Sequence, residues 1–165
     1  MSTTHTPADR GSGSARAAYG LTMLGVYFLV GVLFFYSGKG KIFDDDGHAP
    51  AAIKKQFDGT FLDKVPGADA AWTIIGILEL AIFVLMVFSL LRGEWRPTRP
   101  KSFLLVALAL ALVTFACLSF GQTSTGNNAG TASLYTYFGA TAVILLLVLR
   151  LPPNGPPNWV GSPRE

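Results

Sequence analysis

Four uninterrupted apolar segments limit what this chain of 165 residues can fold into. They comprise residues 18–37, 71–91, 103–121 and 132–149, and Glu79 is the only charged residue within them. At a rise of about 1.5 Å per residue, a helix of about 20 residues crosses the ~30 Å hydrocarbon core of a bilayer. Because lipid offers no water to unpaired backbone groups, helices are the expected spanning form. The sequence predicts an all-α integral membrane protein, a bundle of four transmembrane helices in a lipid bilayer.

The predicted membrane domain occupies residues 18–151, with a polar segment on either side. Residues 1–17 are rich in Ser, Thr, Gly and Ala, and we expect a disordered N-terminal arm. Residues 152–165 are rich in Pro, Gly and Asn, which predicts an extended C-terminal tail.

The outer loop, residues 38–70, is the one long connection between predicted spans. Its segment from Pro50 predicts a short helix with Ile53 and Phe57 on one face. Such a segment lies on the membrane surface or caps the bundle. The alternative is a docking surface for a partner or a substrate.

Basic residues indicate the orientation of the chain. The net charge of +3 is scattered over segment ends, which is typical of topology signals and not of a nucleic-acid-binding stripe, so no nucleic-acid partner is expected. The densest basic cluster lies in the short connection 92–102, where the positive-inside rule is most reliable. The sequence therefore places this connection and both termini in the cytoplasm.

Small residues predict where the first two spans pack. Gly31, Gly38 and Lys41 share one stripe of the first span, and Gly76 lies one turn from Glu79 in the second. Because small residues let membrane helices approach closely, the two stripes are expected to pack together.

Packing of these stripes brings Lys41 toward Glu79. The sequence predicts a Lys–Glu pair, either direct or bridged by a water or a tyrosine, with Lys39 as the alternative partner. Two hypotheses remain for Glu79: a buried carboxyl that fixes helix packing, or a site that accepts a proton or binds a ligand.

Polar side chains of the last two spans form a second candidate site. Gln122 and Tyr135 or Tyr137 fall near the outer membrane level, where a pocket for a head group or a quinone ring could form. The two histidines, His5 and His48, lie outside the spans, and the chain has a single cysteine. The sequence thus offers no haem ligand pair, disulfide relay or metal cluster, and it assigns no catalytic residue.

Two short motifs resemble the DoxX/DoxD-like family of small membrane proteins. They are Tyr36-Ser-Gly-Lys-Gly-Lys-Ile-Phe43, at the end of the first span, and Gly76-Ile-Leu-Glu-Leu80, in the second. The resemblance extends over about residues 20–149. The chain departs from the family in a longer, more acidic first loop and in Gln122, where relatives often carry a histidine.

The resemblance implies a four-helix protein of the bacterial plasma (inner) membrane. Some members are linked to quinone-coupled oxidation of sulfur compounds, and others to membrane complexes that handle oxidative or thiol stress. Gly38, Lys41, Gly76 and Glu79 match the family's motifs. The implied partner is a larger membrane protein complex. We expect this chain to bind no cofactor itself; a quinone is the one cofactor that the resemblance allows.

Three functions are compatible with these observations. The first hypothesis is a non-catalytic accessory subunit of a membrane redox complex. The second is a small proton-coupled carrier or ligand-binding bundle that uses Glu79. The third is a quinone-reactive subunit of a sulfur-compound oxidoreductase.

Overall fold

The computed structural model describes residues 8–151, and every regular element in that range is helical. The predicted C-terminal tail and residues 1–7 of the predicted arm lie outside the described residues. The elements are α1 (Ala8–Lys39), a π-helical turn (Gly40–Asp44), α2 (Ala51–Phe57), α3 (Phe61–Lys64), α4 (Ala68–Leu91), α5 (Ser102–Ser124) and α6 (Asn128–Arg150).

Four of these helices, α1, α4, α5 and α6, are long and apolar enough to cross a membrane. This confirms the four predicted segments. The structure differs from the prediction at the N-terminus, where α1 begins at Ala8 and not after a disordered arm of 17 residues. Residues such as Ala15, Arg16 and Ala17 favour helix, and they extend a helix that the apolar segment has already nucleated.

Successive long helices pack side by side and run antiparallel. Contacts between α1 and α4 join Tyr27 to Ser89 and Ser37 to Glu79, so the residue numbers rise on one helix as they fall on the other. The same pattern relates α5 to α6. The core lies mainly between α1, α4 and α5 and is filled by apolar side chains, among them Val30, Phe34, Ile82, Met86, Leu108 and Ala111.

The two ends of the bundle differ. The loop end carries residues 40–67 and the turn between α5 and α6; the terminal end carries residues 92–101 and both ends of the described chain. At the loop end, α2 and α3 cover the last turns of α5. The Phe61 and Phe120 rings lie 5.9 Å apart, and the Gln56 amide donates hydrogen bonds to Gln122 and Thr125.

Candidate functional site

The loop end contains a buried ion pair between Lys41, in the π-helical turn after α1, and Glu79 of α4. Lys41 Nζ lies 2.8 Å from Glu79 Oε2 and 3.1 Å from Oε1. The hydroxyl of Ser37 lies 2.9 Å from Glu79 Oε1 and 2.8 Å from Lys41 Nζ, which closes a three-residue cluster. Both charged side chains are nearly inaccessible, at 10% and 3% exposed. The pairing expected from the sequence is direct, without a bridging group.

Two glycines allow the helices to approach closely enough for this contact. A methyl group at Gly76 would come within 2.9 Å of Lys41 Cβ and of Ile42. One at Gly38 would lie 2.9 Å from Leu80 Cγ and 3.0 Å from its backbone nitrogen. Lys41 itself belongs to the π-helical turn that continues α1 and packs on α4. Gly38 and Gly76 are therefore packing residues, as the sequence indicates.

Trp72 forms one wall of the Lys41–Glu79–Ser37 cluster. Its ring centroid lies 4.9 Å from Lys41 Nζ, which is a cation–π geometry. The ammonium group is thus surrounded by a carboxylate, a hydroxyl and an aromatic face. Partners of this kind offset the large cost of removing a charge from water.

Two residues expected at this site lie elsewhere. Lys39 does not pair with Glu79; its Nζ lies 2.6 Å from Asp44 Oδ1 at the surface. Two residues along a helix amount to more than half a turn, so Lys39 and Lys41 point to different sides. Gly31 is buried, but a methyl group there would meet no atom within 4 Å. It borders an apolar groove of about 290 Å³ between α1 and α4, where large side chains such as Phe35 and Phe83 hold the helices apart.

Gln122, Tyr135 and Tyr137 do not join the Lys41–Glu79 pair. Gln122 Oε1 accepts hydrogen bonds from Gln56 and Asn127, each at 2.7 Å, and so ties α2 to the α5–α6 turn. Tyr137 stacks on Phe115 at 5.9 Å. Tyr135 lines a separate cavity between α5 and α6. Neither Gln122 nor Tyr137 lines that cavity.

A second buried carboxylate, Glu94, lies at the terminal end. Its oxygens accept hydrogen bonds from the backbone N–H groups of Phe103 and Leu104, at 3.1 and 3.0 Å. Glu94 also accepts a 2.7 Å hydrogen bond from Ser89, whose hydroxyl lies 2.6 Å from that of Tyr27. A carboxylate at a helix N-terminus satisfies free N–H groups and the helix dipole. Glu94 therefore fastens the connection 92–101 to α1, α4 and α5.

Sequence reasoning missed Glu94 because a carboxylate in a basic, polar loop gives no sign of burial. The available signal was its position eight residues before the start of α5, where a helix N-terminus needs acceptors. The neighbouring Lys101 is also fully buried, with its Nζ 5.6 Å from the centre of the Tyr19 ring. Burial lowers the pKa of Lys101, and the Glu94 carboxylate opposes that shift.

Apolar residues of α1 and α4 separate the two polar clusters. Tyr27 and Ser37 are ten positions apart on α1, which is about 15 Å along the helix. The apolar residues include Val30 and Phe34 from α1 and Ile82 and Met86 from α4, all buried. Within residues 8–151, no group of three or more His, Cys, Asp or Glu side chains is placed to hold a metal ion.

No family model, curated protein or solved structure matches this chain. The fold and the two buried clusters define a small multi-pass helical membrane protein. The resemblance of its two motifs to the DoxX/DoxD-like family stays a prediction from the sequence.

Proposed function

We propose that this protein is a non-catalytic accessory subunit of a larger membrane complex. The observation that carries the proposal is the closed Lys41–Glu79–Ser37 cluster, in which each charged group already has its partners. The resemblance of its motifs to the DoxX/DoxD-like family supports a redox complex of the respiratory chain or of the thiol and oxidative-stress response. The family's quinone would then be bound by the partner and not by this chain.

The geometry of the ion pair favours a structural role for Glu79. Both carboxylate oxygens accept hydrogen bonds, and the ammonium of Lys41 contacts both Glu79 and Ser37. Gly38 and Gly76 leave no room for a ligand between the helices at this level. Breaking such a pair leaves an unpaired buried charge, which costs about 3–5 kcal/mol. The pair therefore fixes how α1 and α4 pack.

The apolar residues between the two clusters count against the proton-carrier hypothesis. A carrier needs polar groups or water along the path of the proton, whereas the buried side chains that α1 and α4 place between Tyr27 and Ser37 are all apolar. The Glu79 and Glu94 clusters thus stabilise helix packing separately, at opposite ends of the bundle.

Helix α6 supports an interaction with another membrane protein. Of the four long helices, α6 has the smallest buried share, because it packs on α5 and leaves its other sides uncovered. Its uncovered side includes the small or polar residues Ser133, Thr136 and Gly139 beside apolar residues such as Val143 and Leu146. Small and polar residues at membrane depth are typical of contacts between helices.

Affinity purification in mild detergent tests the proposal. Tagged wild-type protein should bring down membrane redox subunits, identified by mass spectrometry. Gly139→Leu adds bulk on α6, and Gly25→Leu adds the same bulk on α1; neither site has an atom within 4 Å of a new methyl group. We expect Gly139→Leu to lose the partner and Gly25→Leu to keep it. Wild-type protein that is folded but purifies alone would overturn the proposal, and transport in liposomes would then be the next assay.

A further inference from the structure

A cavity of about 350 Å³ lies between α5 and α6 near the loop end. Its volume is within the range of small-molecule pockets, about 300–1,000 Å³. Phe115, Phe120, Phe138 and Ala116 give it apolar walls, and Ser119, Thr123 and Tyr135 add hydroxyl groups. Phe120 and Tyr135 are more than half exposed to the surroundings of the bundle. A molecule dissolved in the bilayer can therefore enter from the side.

Ser119 provides a buried hydroxyl without a hydrogen-bond partner at this cavity. The residue is 7% exposed, and its Oγ has no partner among the described residues. Serine and threonine in membrane helices ordinarily donate to the carbonyl four residues earlier. The α5 and α6 residues that do so are Thr114, Thr123, Ser124, Thr131, Ser133 and Thr136. Ser119 is an exception, and a buried hydroxyl without a partner is costly.

The depth of Ser119 indicates which acceptor would reach it. The apolar segment of α5 ends at Gly121, and its 19 residues, 103–121, span about 28 Å, close to the ~30 Å hydrocarbon core. Ser119 therefore lies about 3 Å inside the boundary of that core. The ester carbonyls of a phospholipid lie at this boundary, and its acyl chains extend inward from there.

We propose that this cavity is a binding site for one phospholipid molecule. An acyl chain packs against Phe115, Phe120 and Phe138, and an ester carbonyl accepts a hydrogen bond from Ser119. Tyr135, at the rim, is placed to contact the glycerol or the head group, as aromatic residues at a membrane interface do. The site requires a carbonyl acceptor and an acyl chain, and it is independent of the function proposed above.

The test compares two phospholipids with the same head group and chains, one ester-linked and one ether-linked. The ether lipid lacks the carbonyl acceptor. Purified wild-type protein, Ser119→Ala and the control Ser124→Ala are exchanged into each lipid, and retained lipid is counted by native mass spectrometry. Ser124 is an exposed serine of the same helix whose hydroxyl donates to Phe120 O.

Wild type and Ser124→Ala should retain about fivefold more ester than ether lipid, the ratio expected for one hydrogen bond. Ser119→Ala should retain the two lipids equally. In lipid-free detergent, Ser119→Ala should unfold at the same or a higher temperature than wild type, because it loses an unpartnered hydroxyl. That measurement separates lost binding from a damaged fold.

Equal retention of the two lipids by wild type would overturn the proposal, and so would a preference for the ester lipid that survives Ser119→Ala. Protein purified straight from membranes offers a further check. It should carry about one diacyl phospholipid per chain. A bound carbonyl compound that is not a phospholipid would contradict the assignment.

Discussion

At the scale of single residues, two buried carboxylates hold the polar ends of an apolar bundle together. Glu79 neutralises a lysine, whereas Glu94 accepts hydrogen bonds from two backbone N–H groups and a serine. Both acids are almost completely buried; counted over the whole residue, Glu79 is 2% and Glu94 is 4% exposed. The partners of Glu94 are near it in the sequence, at the end of α4 and the start of α5, whereas Lys41 is 38 positions from Glu79.

Replacing Glu94 by Gln should destabilise the protein by about 1.5–3 kcal/mol, since hydrogen bonds to a charged acceptor are lost. The measurement is the free energy of unfolding in mild detergent. Arg99→Gln removes an exposed charge from the same connection and should change stability by less than about 0.5 kcal/mol. Equal effects of the two substitutions would show that Glu94 does not fasten the connection.

The sequence predicted one of these carboxylate sites and missed the other. Glu79 is conspicuous because it is a charge inside an apolar segment, and the glycine stripes pointed to Lys41 as its partner. The role of Ser37 was not predicted, because serine is common at any helix end. Glu94 was missed because the burial of a loop side chain depends on tertiary contacts that periodicity does not encode.

At the scale of helices, glycines set the distance between α1 and α4. Gly38 faces the backbone nitrogen of Leu80, and Gly76 faces Lys41 and Ile42. Gly31 shares the stripe of Gly38 but faces open space beside the apolar groove. Sequence spacing gives the correct face of the helix. It cannot show at which glycine the helices meet, since that depends on the bulk of the facing side chains.

Gly38→Ala should destabilise the protein by about 1–3 kcal/mol, because overpacking at Leu80 pushes the helices apart. Gly76→Ala should cost at least as much, since its methyl group would lie 2.9 Å from Lys41 Cβ, which can move only with the backbone. Gly31→Ala is the matched control; it should be neutral or stabilising by up to about 1 kcal/mol through helix propensity. Thermal unfolding of the three variants checks this order, and a Gly31→Ala effect as large as that of Gly38→Ala would refute it.

Helix boundaries show where local composition and the apolar pattern disagree. The four spans were predicted from apolar length, and the structure lengthens all of them into polar flanking residues. The short α2 follows Pro50 as predicted, with Ile53 and Phe57 half-buried. The first span was predicted to begin at residue 18, but α1 begins at Ala8. The composition of residues 8–17 does not reveal that the helix of the adjacent apolar segment continues into them.

At the scale of the whole molecule, the terminal end carries Arg92, Arg96, Arg99 and Lys101. We propose that this end is cytoplasmic, according to the positive-inside rule, in the plasma membrane of a bacterium. The loop end, with α2 and α3, then faces outward. Antiparallel packing places the 92–101 connection and the ends of the described chain on the same side.

Cysteine labelling tests this orientation. In a Cys117→Ser background, a cysteine at exposed Asp58 should react with an impermeant maleimide in intact cells. A cysteine at exposed Arg99 should react only after the membrane is opened. The reverse pattern would show that the bundle is inserted the other way round.

The central claim is that the Lys41–Glu79 ion pair stabilises the packing of α1 on α4. A double-mutant cycle in unfolding free energy tests it most directly. Lys41→Met and Glu79→Gln should each cost about 3–5 kcal/mol, and the double variant should recover much of that loss. The exposed Lys39–Asp44 pair, replaced by Met and Asn, is the control and should couple by less than about 1 kcal/mol. If Glu79→Gln leaves stability within about 0.5 kcal/mol of wild type, the pair does not hold the bundle together and the account is wrong.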